Sequence, residues 1–411
     1  MIRIWTALFI VTCLLLPGCT QSNSVYTDER FYTDEYLSDY DVSEQYLSSN
    51  GYLDKQGTTY YVGAPLSETW IHYYDDQTGT EGILCGKPEC THDSNLCNGY
   101  IFFPSGIQVY DQHLYWLSDM TQIWRMNLQG TEREFVRTVD FAKSGGAIDL
   151  YFAIHRGYVY SRYTENEVED GETYMRLHVR QYSLEDPETP GKDIINQRYD
   201  GIPNMSWCFK GNTIYFWIDC RKTNVDNRQR EFLAYDIVED QMETIWSGEE
   251  DWYTKGYVID EDEKGMVILE AEEFQENEDL YIRKSYLDFE SGTKENGKKV
   301  LIGQDYLYQG GIADGYILVF HYIEQSEDGD SDLSEYKLYD YDFNLIREGK
   351  VPDNKLYCAG IDDTGILLDE HYGSDTRDYY KVYRIPTTAE GEEELLINVV
   401  RDISMFNVHG E

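Results

Sequence analysis

The chain has 411 residues and a formal net charge of −43 at pH 7, from 77 acidic and 34 basic side chains. A field of that sign repels nucleic acid and anionic lipid headgroups, which sets both aside as partners. At 41% hydrophobic and 15% aromatic residues the sequence is too apolar for a disordered polyanion and calls for a packed core.

The chain opens MIRIWTALFIVTCLLLPGCTQ. Arg3 supplies a positive start, and residues 4–16 form an apolar run too short to span a bilayer comfortably, so residues 1–18 read as a signal peptide. Leu16-Pro17-Gly18-Cys19 resembles the bacterial lipobox. That resemblance implies that Cys19 becomes the lipid-modified N-terminus, placing the mature protein on the extracytoplasmic face of the cell membrane. Two acyl chains anchor a protein stably where one holds it only marginally. Ordinary cleavage with Cys19 incidental is the alternative. Residues 19–52 are polar and Tyr/Asp-rich with no sustained period, and read as the lipidated N-terminus and a tether. The tyrosines leave open that part of this stretch docks on the domain.

From residue 57 one pattern returns. An apolar strand and a turn lead into an aromatic-rich second strand, and a strand, polar turn and strand follow. The second strands begin near Thr59, Leu114, Val159, Ile214, Met266, Ile317 and Ile366, spaced 45 to 55 residues apart. Alternation rich in Tyr, Val, Ile and Trp, broken by turn residues, is the antiparallel β signature. Four-stranded units at this period predict an all-β fold, a β-propeller over residues 53–411. Seven blades fit the length best, although six or eight remain open, as do a sandwich or several small β domains. Ring closure calls for one terminus to complete a blade, with residues 403–407 or part of the stretch before Gly57 as candidates.

One unit permits a family comparison. Tyr115-Trp116-Leu117-Ser118-Asp119 stands where the YWTD repeat of low-density-lipoprotein-receptor-type propellers has Tyr-Trp-Thr-Asp. Ile123 to Leu128, followed by Gln129-Gly130, matches the next strand and its turn, and Ile214 to Asp219 is a looser echo. The resemblance covers about 25 residues, implies a propeller, and would imply six blades. The lipobox, the tyrosine-rich repeats and the cysteines together also look like a group of bacterial surface lipoproteins with propeller domains.

The densest reactive segment is ILCGKPECTHDSNLC, residues 83–97. Cys85, Cys90, His92 and Cys97 have the spacing C-x4-C-x-H-x4-C, enough for a closed tetrahedral zinc site. Gly86 and Pro88 favour a turn bringing Cys85 back toward Cys90, and the knot is expected to follow the last strand of the first blade and clip it to the second. An exported protein also meets an oxidising environment, so a disulfide within the cluster is the rival, and unliganded thiols a third possibility. Cys208, Cys220 and Cys358 are the other mature cysteines. Cys208 and Cys220 flank an expected hairpin turn at Gly211-Asn212, in a register that sets Cys208 opposite Tyr215 rather than Cys220.

Catalytic residues are not legible. The sequence has no Gly-x-Ser-x-Gly elbow, P-loop or His-Glu-x-x-His, and carboxylate pairs are too common to single out a general acid and base. Glu327 to Asp332 lacks the glycine and glutamate of an EF-hand loop and reads as a solvated acidic loop. His155, His178, His321 and His371 are isolated and read as structural or surface residues. The expectation is a monomeric, non-catalytic binding or scaffold propeller for a protein or glycan partner. A carbohydrate-active or other hydrolase or lyase at the channel mouth is one alternative, an envelope assembly factor or sensor another. The contact surface is expected on one face, supplied by the long segments around 164–173, 220–230, 270–279 and 324–334.

Overall fold

The computed structural model describes residues 47–402 apart from 49–50, 54–57, 63–67, 76, 104–105, 141–147, 170–171, 223–227, 261, 273–278, 305–310, 314, 324–332, 352–355, 362–364 and 374–376. Among the described residues there is no helix. The strands form seven antiparallel sheets arranged as the blades of a β-propeller.

Blade 1 holds β1 (Leu47–Ser48), β2 (Gly51–Leu53), β3 (Thr58–Val62), β4 (Glu68–Asp75), β5 (Thr80–Ile83) and β6 (Tyr100–Phe102). Blade 2 holds β7 (Ile107–Tyr110), β8 (His113–Ser118), β9 (Gln122–Asn127) and β10 (Glu134–Thr138). Blade 3 is β11 (Ile148–His155), β12 (Tyr158–Glu169), β13 (Glu172–Ser183) and β14 (Lys192–Tyr199). In blade 4 the order is β15 (Gly201–Lys210), β16 (Thr213–Lys222), β17 (Arg228–Asp236) and β18 (Gln241–Glu250). Blade 5 runs β19 (Tyr253–Ile259), β20 (Gly265–Ala271), β21 (Asp279–Asp288), β22 (Thr293–Asn296) and β23 (Val300–Gln304). Blade 6 is β24 (Gly311–Ala313), β25 (Tyr316–Ile323), β26 (Leu333–Asp340) and β27 (Leu345–Val351). Blade 7 closes with β28 (Leu356–Ile361), β29 (Gly365–Gly373), β30 (Arg377–Pro386) and β31 (Glu394–Asp402).

The seven expected second strands are β3, β8, β12, β16, β20, β25 and β29. Their unbroken apolar runs follow from burial on both sheet faces. In β16, Ile214, Phe216 and Ile218 pack with Leu177 and Val179 of blade 3. The intervening Tyr215 and Trp217 pack with Met266, Ile268 and Leu287 of blade 5. In β8, Leu114 and Trp116 join Tyr60 and Ile71 of blade 1, while Tyr115 and Leu117 join Phe152 and Ile154 of blade 3. A period of two with both phases apolar is what a strand between two neighbouring sheets requires.

Polar stitches repeat from blade to blade. Each comes from the last residue of an inner strand and reaches the first turn of the next blade. The Gly157 N–H donates to the Tyr110 hydroxyl at 2.7 Å. His155 Nε2 donates to the Gly211 carbonyl at 2.8 Å. Lys210 Nζ donates to the Asp260 carbonyl. Burial, with a further push from Arg156, drops the His155 pKa to about 3, so the ring is neutral.

Among the described residues, no blade borrows a strand from the far end of the chain. β2, from the stretch before Gly57, pairs with β3 as the inner strand of blade 1 and lies beside β7, while β1 lies beside β28 of blade 7. Residues 403–407 lie outside the described residues. Strand alternation puts the first-to-second and third-to-fourth turns on one ring face. The second-to-third and blade-to-blade connections lie on the other. All four long segments expected at the contact surface fall between second and third strands, after β12, β16, β20 and β25, whose ends share that second face.

Candidate metal centre and contact face

The cysteine segment does not follow blade 1's last strand, as its place in the repeat suggested, but interrupts it. β5 pairs with His72–Asp75 of β4, and β6 resumes the same edge against Glu68–Trp70. Ile71 is the pivot, because its N–H donates to the Gly99 carbonyl at 2.8 Å and its carbonyl accepts the Leu84 N–H at 2.9 Å. The loop therefore leaves and rejoins the edge at one residue. Gly99 is required there, since a Cβ would meet the Leu84 carbonyl oxygen at 2.8 Å.

Within the loop, one donor atom each from Cys85, Cys90, His92 and Cys97 lies within 4.8 Å of all the others. His92 Nδ1 is 3.4 Å from Cys97 Sγ. The edge of a zinc–thiolate tetrahedron is about 3.8 Å, so the set needs little movement to close on an ion. His92 holds a left-handed backbone, φ 56°, of a kind the surroundings must impose on a non-glycine residue. Burial works against a thiolate at Cys85, but N–H groups of Lys87 and Asn98 and the Cys90 and Cys97 thiols point at its sulfur and lower its pKa overall. Cys97 is more deeply set, and burial carries its thiol up to about 12, against the Gly99 N–H that bonds its sulfur. Backbone N–H groups two residues on, at Lys87 and at Gly99, thus serve both sulfurs. Three thiols and one imidazole form a set that could bind a metal and is compatible with structural zinc, with all four corners filled by protein.

The loop leans on blade 2. The Gly86 N–H donates to the Gly130 carbonyl at 2.9 Å, and Asn98 Nδ2 donates to the same oxygen at 2.8 Å. Gly130, φ 75°, sits in the β9–β10 turn, where a Cβ would meet the Cys85 nitrogen at 2.8 Å. Arg133 donates to the Cys97 and Asn98 carbonyls at 3.1 and 3.3 Å while its guanidinium lies 4.9 Å from the Trp124 ring centroid. The β9–β10 turn is therefore the seat of the cysteine loop.

Cys208 lies opposite Tyr215 and Cys220 opposite Pro203, so these two cysteines are not cross-strand partners. The three cluster cysteines carry free thiols. Cys358 lies in β28, His321 in β25 and His371 in β29. Cys19 and Glu327 to Asp332 fall outside the described residues.

On the opposite face from the β9–β10 turn, one hairpin outreaches its sheet. β11 pairs with β12 only up to Thr164, and β14 with β13 only up to Met175. The pairing of β12 with β13 continues from Glu167↔Tyr174 to Glu169↔Glu172, which leaves a two-stranded ribbon beyond the blade. Arg176 clamps Glu167 through Nε and Nη2 at 2.6 and 3.1 Å, and Arg198 bonds Glu169 while lying 3.3 Å from the Tyr174 ring centroid. His178 Nε2 bonds Glu165 at 3.1 Å and its ring stacks on Tyr163. Val168 near the tip is 73% exposed.

Two carboxylates that do converge are Glu250 and Glu270, between blades 4 and 5. Burial alone would raise the Glu270 pKa, but hydrogen bonds from Arg283, Lys294 and Ser285 carry it down to about 2. A carboxylate so held neither takes nor gives a proton near neutrality. The sequence did not single it out.

No protein-family model matches the chain, and no curated protein matches it. Among solved structures it is similar to an oligogalacturonate lyase in complex with manganese, at 11% identity and a TM-score of 0.44, covering 74% of this chain and 78% of that one. It is also similar to a Pyrococcus horikoshii acylaminoacyl peptidase, at 13% identity and a TM-score of 0.49, covering 87% of this chain and 54% of that one. The chain thus spans about half the peptidase's length. A third similar structure is the β-propeller domain of the Trilobed protease from Pyrococcus furiosus, at 11% identity and a TM-score of 0.46, covering 86% and 95%. Likeness at this level concerns the fold and passes on no activity.

Proposed function

We propose that the protein is a membrane-anchored extracytoplasmic binding propeller, lipidated at Cys19, that engages a protein or glycan partner on the face carrying the second-to-third connections. The observation that supports this reading is the β12–β13 ribbon, which carries an exposed Val168 beyond the sheet on that face. Loops and protrusions set on a rigid scaffold are where binding surfaces concentrate. The cysteine loop is the structural counterpart at the rim, with Cys85, Cys90, His92 and Cys97 holding one zinc ion that has no open position for a substrate.

The test is capture from the native envelope with the lipidated monomer. Replacing residues 168–173 with Asn-Gly joins the cross-strand pair Glu167 and Tyr174 through a two-residue hairpin turn. This shortened protein should fold normally and lose the captured partner. Equal capture by both forms overturns the choice of face. Release of Cys19→Ala from the membrane, or its accumulation as precursor, supports the anchor, and unchanged retention with normal processing removes it. The similar solved structures include enzymes, so the same preparation is assayed for hydrolysis or lysis of polysaccharides and peptides. Turnover abolished by one carboxylate substitution would replace the binding reading with a catalytic one.

A further inference from the structure

The blade 4–blade 5 junction buries an ionic network of unusual composition for so acidic a chain. Arg230 of β17 is 0% exposed. Its Nη1 donates to Glu270 Oε1 at 2.8 Å and to Glu250 Oε2 at 3.1 Å, and its Nε stands 3.4 Å from Asp219 Oδ2. Arg283 of β21 donates to Glu270 Oε2 at 2.8 Å and to Glu250 Oε2 at 2.9 Å. Lys294 of β22 reaches Glu250 Oε2 at 2.5 Å and Glu270 Oε1 at 2.8 Å. Ser285 adds a bond to Glu270 at 2.6 Å, and Arg228 holds Asp219 at 2.9 Å.

Two features do not balance. Four cations, Arg228, Arg230, Arg283 and Lys294, share three carboxylates, Asp219, Glu250 and Glu270. Glu270 is ionised with all its acceptor sites used, so the network carries one surplus positive charge. In addition, Arg230 Nε and Nη2 are buried with no hydrogen-bond partner, Nε having the Asp219 ion-pair contact and Nη2 none. An uncompensated buried charge and an unmade guanidinium hydrogen bond are both costly, and a partner for one can serve the other. Elsewhere the molecule carries a large negative excess, so a surplus cation is the opposite of what its composition would place there by chance.

We infer that the blade 4–blade 5 junction is a binding site for one small monovalent anion, of halide size, held at Arg230 Nη2. The ion neutralises the network and supplies the partner that Arg230 Nη2 lacks. It ties β17 of one blade to β21 and β22 of the next, and stands apart from both the cysteine loop and the ribbon.

The probe is sodium chloride replacing the sodium salt of a bulky sulfonate at constant ionic strength, followed by thermal unfolding. Wild-type protein should gain about 2 °C when chloride exceeds its dissociation constant about tenfold, and the gain should rise with the logarithm of chloride above that. Bromide should give one anomalous peak within hydrogen-bond reach of Arg230 Nη2. Lys294→Met leaves three cations with three carboxylates and should fold without any chloride response. Arg283→Lys keeps the charge and should retain it. A response that is absent, or that Lys294→Met shares in full, overturns the site, as does a water at Arg230 Nη2 in bromide-grown crystals.

Discussion

The junction of blades 1 and 2 and the junction of blades 4 and 5 solve one problem with opposite materials. At the first, a loop interrupting an outer strand gathers soft donors, three thiols and an imidazole, and meets its neighbour through backbone groups at Gly86 and Gly130. At the second, continuous strands bring arginines, a lysine and carboxylates into a buried lattice. On the proposed reading, the first set of donors is completed by an ion of opposite sign to the chain. The second is nearly complete in itself, because its charges are covalently part of the sheets. Side-chain softness thus separates a conditional fastening from a permanent one.

Metal removal should separate the two most sharply. Purified protein is expected to hold near-stoichiometric zinc, and Cys90→Ser to fall close to none, since structural zinc contributes on the order of 10 kcal/mol to the fold around it. Elemental analysis with thiol titration reads the outcome, and a cluster disulfide without metal would refute it. Chelation should leave the blade 4–blade 5 lattice intact, visible as unchanged hydrogen-exchange protection in β17 and β21.

At the second junction, Glu270→Gln takes a charge from beneath Arg283, Lys294 and Arg230. The expected loss is about 3–5 kcal/mol in urea unfolding, as for a buried pair stripped of one partner. Retained stability would mean the lattice relaxes freely. Acid should then act on the second junction before any metal chemistry is considered. With a folded pKa of about 2 against about 4.3 unfolded, Glu270 contributes its full stabilisation above the unfolded value. That contribution disappears as pH falls toward 2 and amounts to about 3 kcal/mol. Titrating stability in Glu270→Gln should show that part of the acid limb missing.

The smallest expected effect concerns the seat of the loop rather than its donors. Gly130→Ala puts a Cβ against the Cys85 backbone from a left-handed residue, costing about 1–3 kcal/mol. Zinc content should stay unchanged. Loss of zinc in this variant would show that docking on blade 2, and not the four donors, creates the site.

Local patterns were legible and distant ones were not. The second strands declared themselves because Ile214 to Ile218 must satisfy two neighbouring sheets at once, which leaves no polar phase in the sequence. The four donors were visible because they lie within thirteen residues. Their position inside the outer strand was not, since it depends on Leu84 and Gly99 both bonding Ile71, a pairing no spacing reveals. The Arg230 lattice was hidden for a related reason. Its members come from six strands, and in a chain with 77 acids the neighbours of any one carboxylate in sequence say nothing of its neighbours in space.

Every blade is made from consecutive chain, with none waiting for a strand from the far end, and this bears on the order in which the molecule can be built. Contacts within a blade, and the stitches from Tyr110, His155 and Lys210, span at most about 55 residues. Such local contacts form early and quickly compared with long-range pairing. A chain emerging N-terminus first can therefore complete blades one at a time. Among the described contacts, the meeting of β1 with β28 must await the seventh blade.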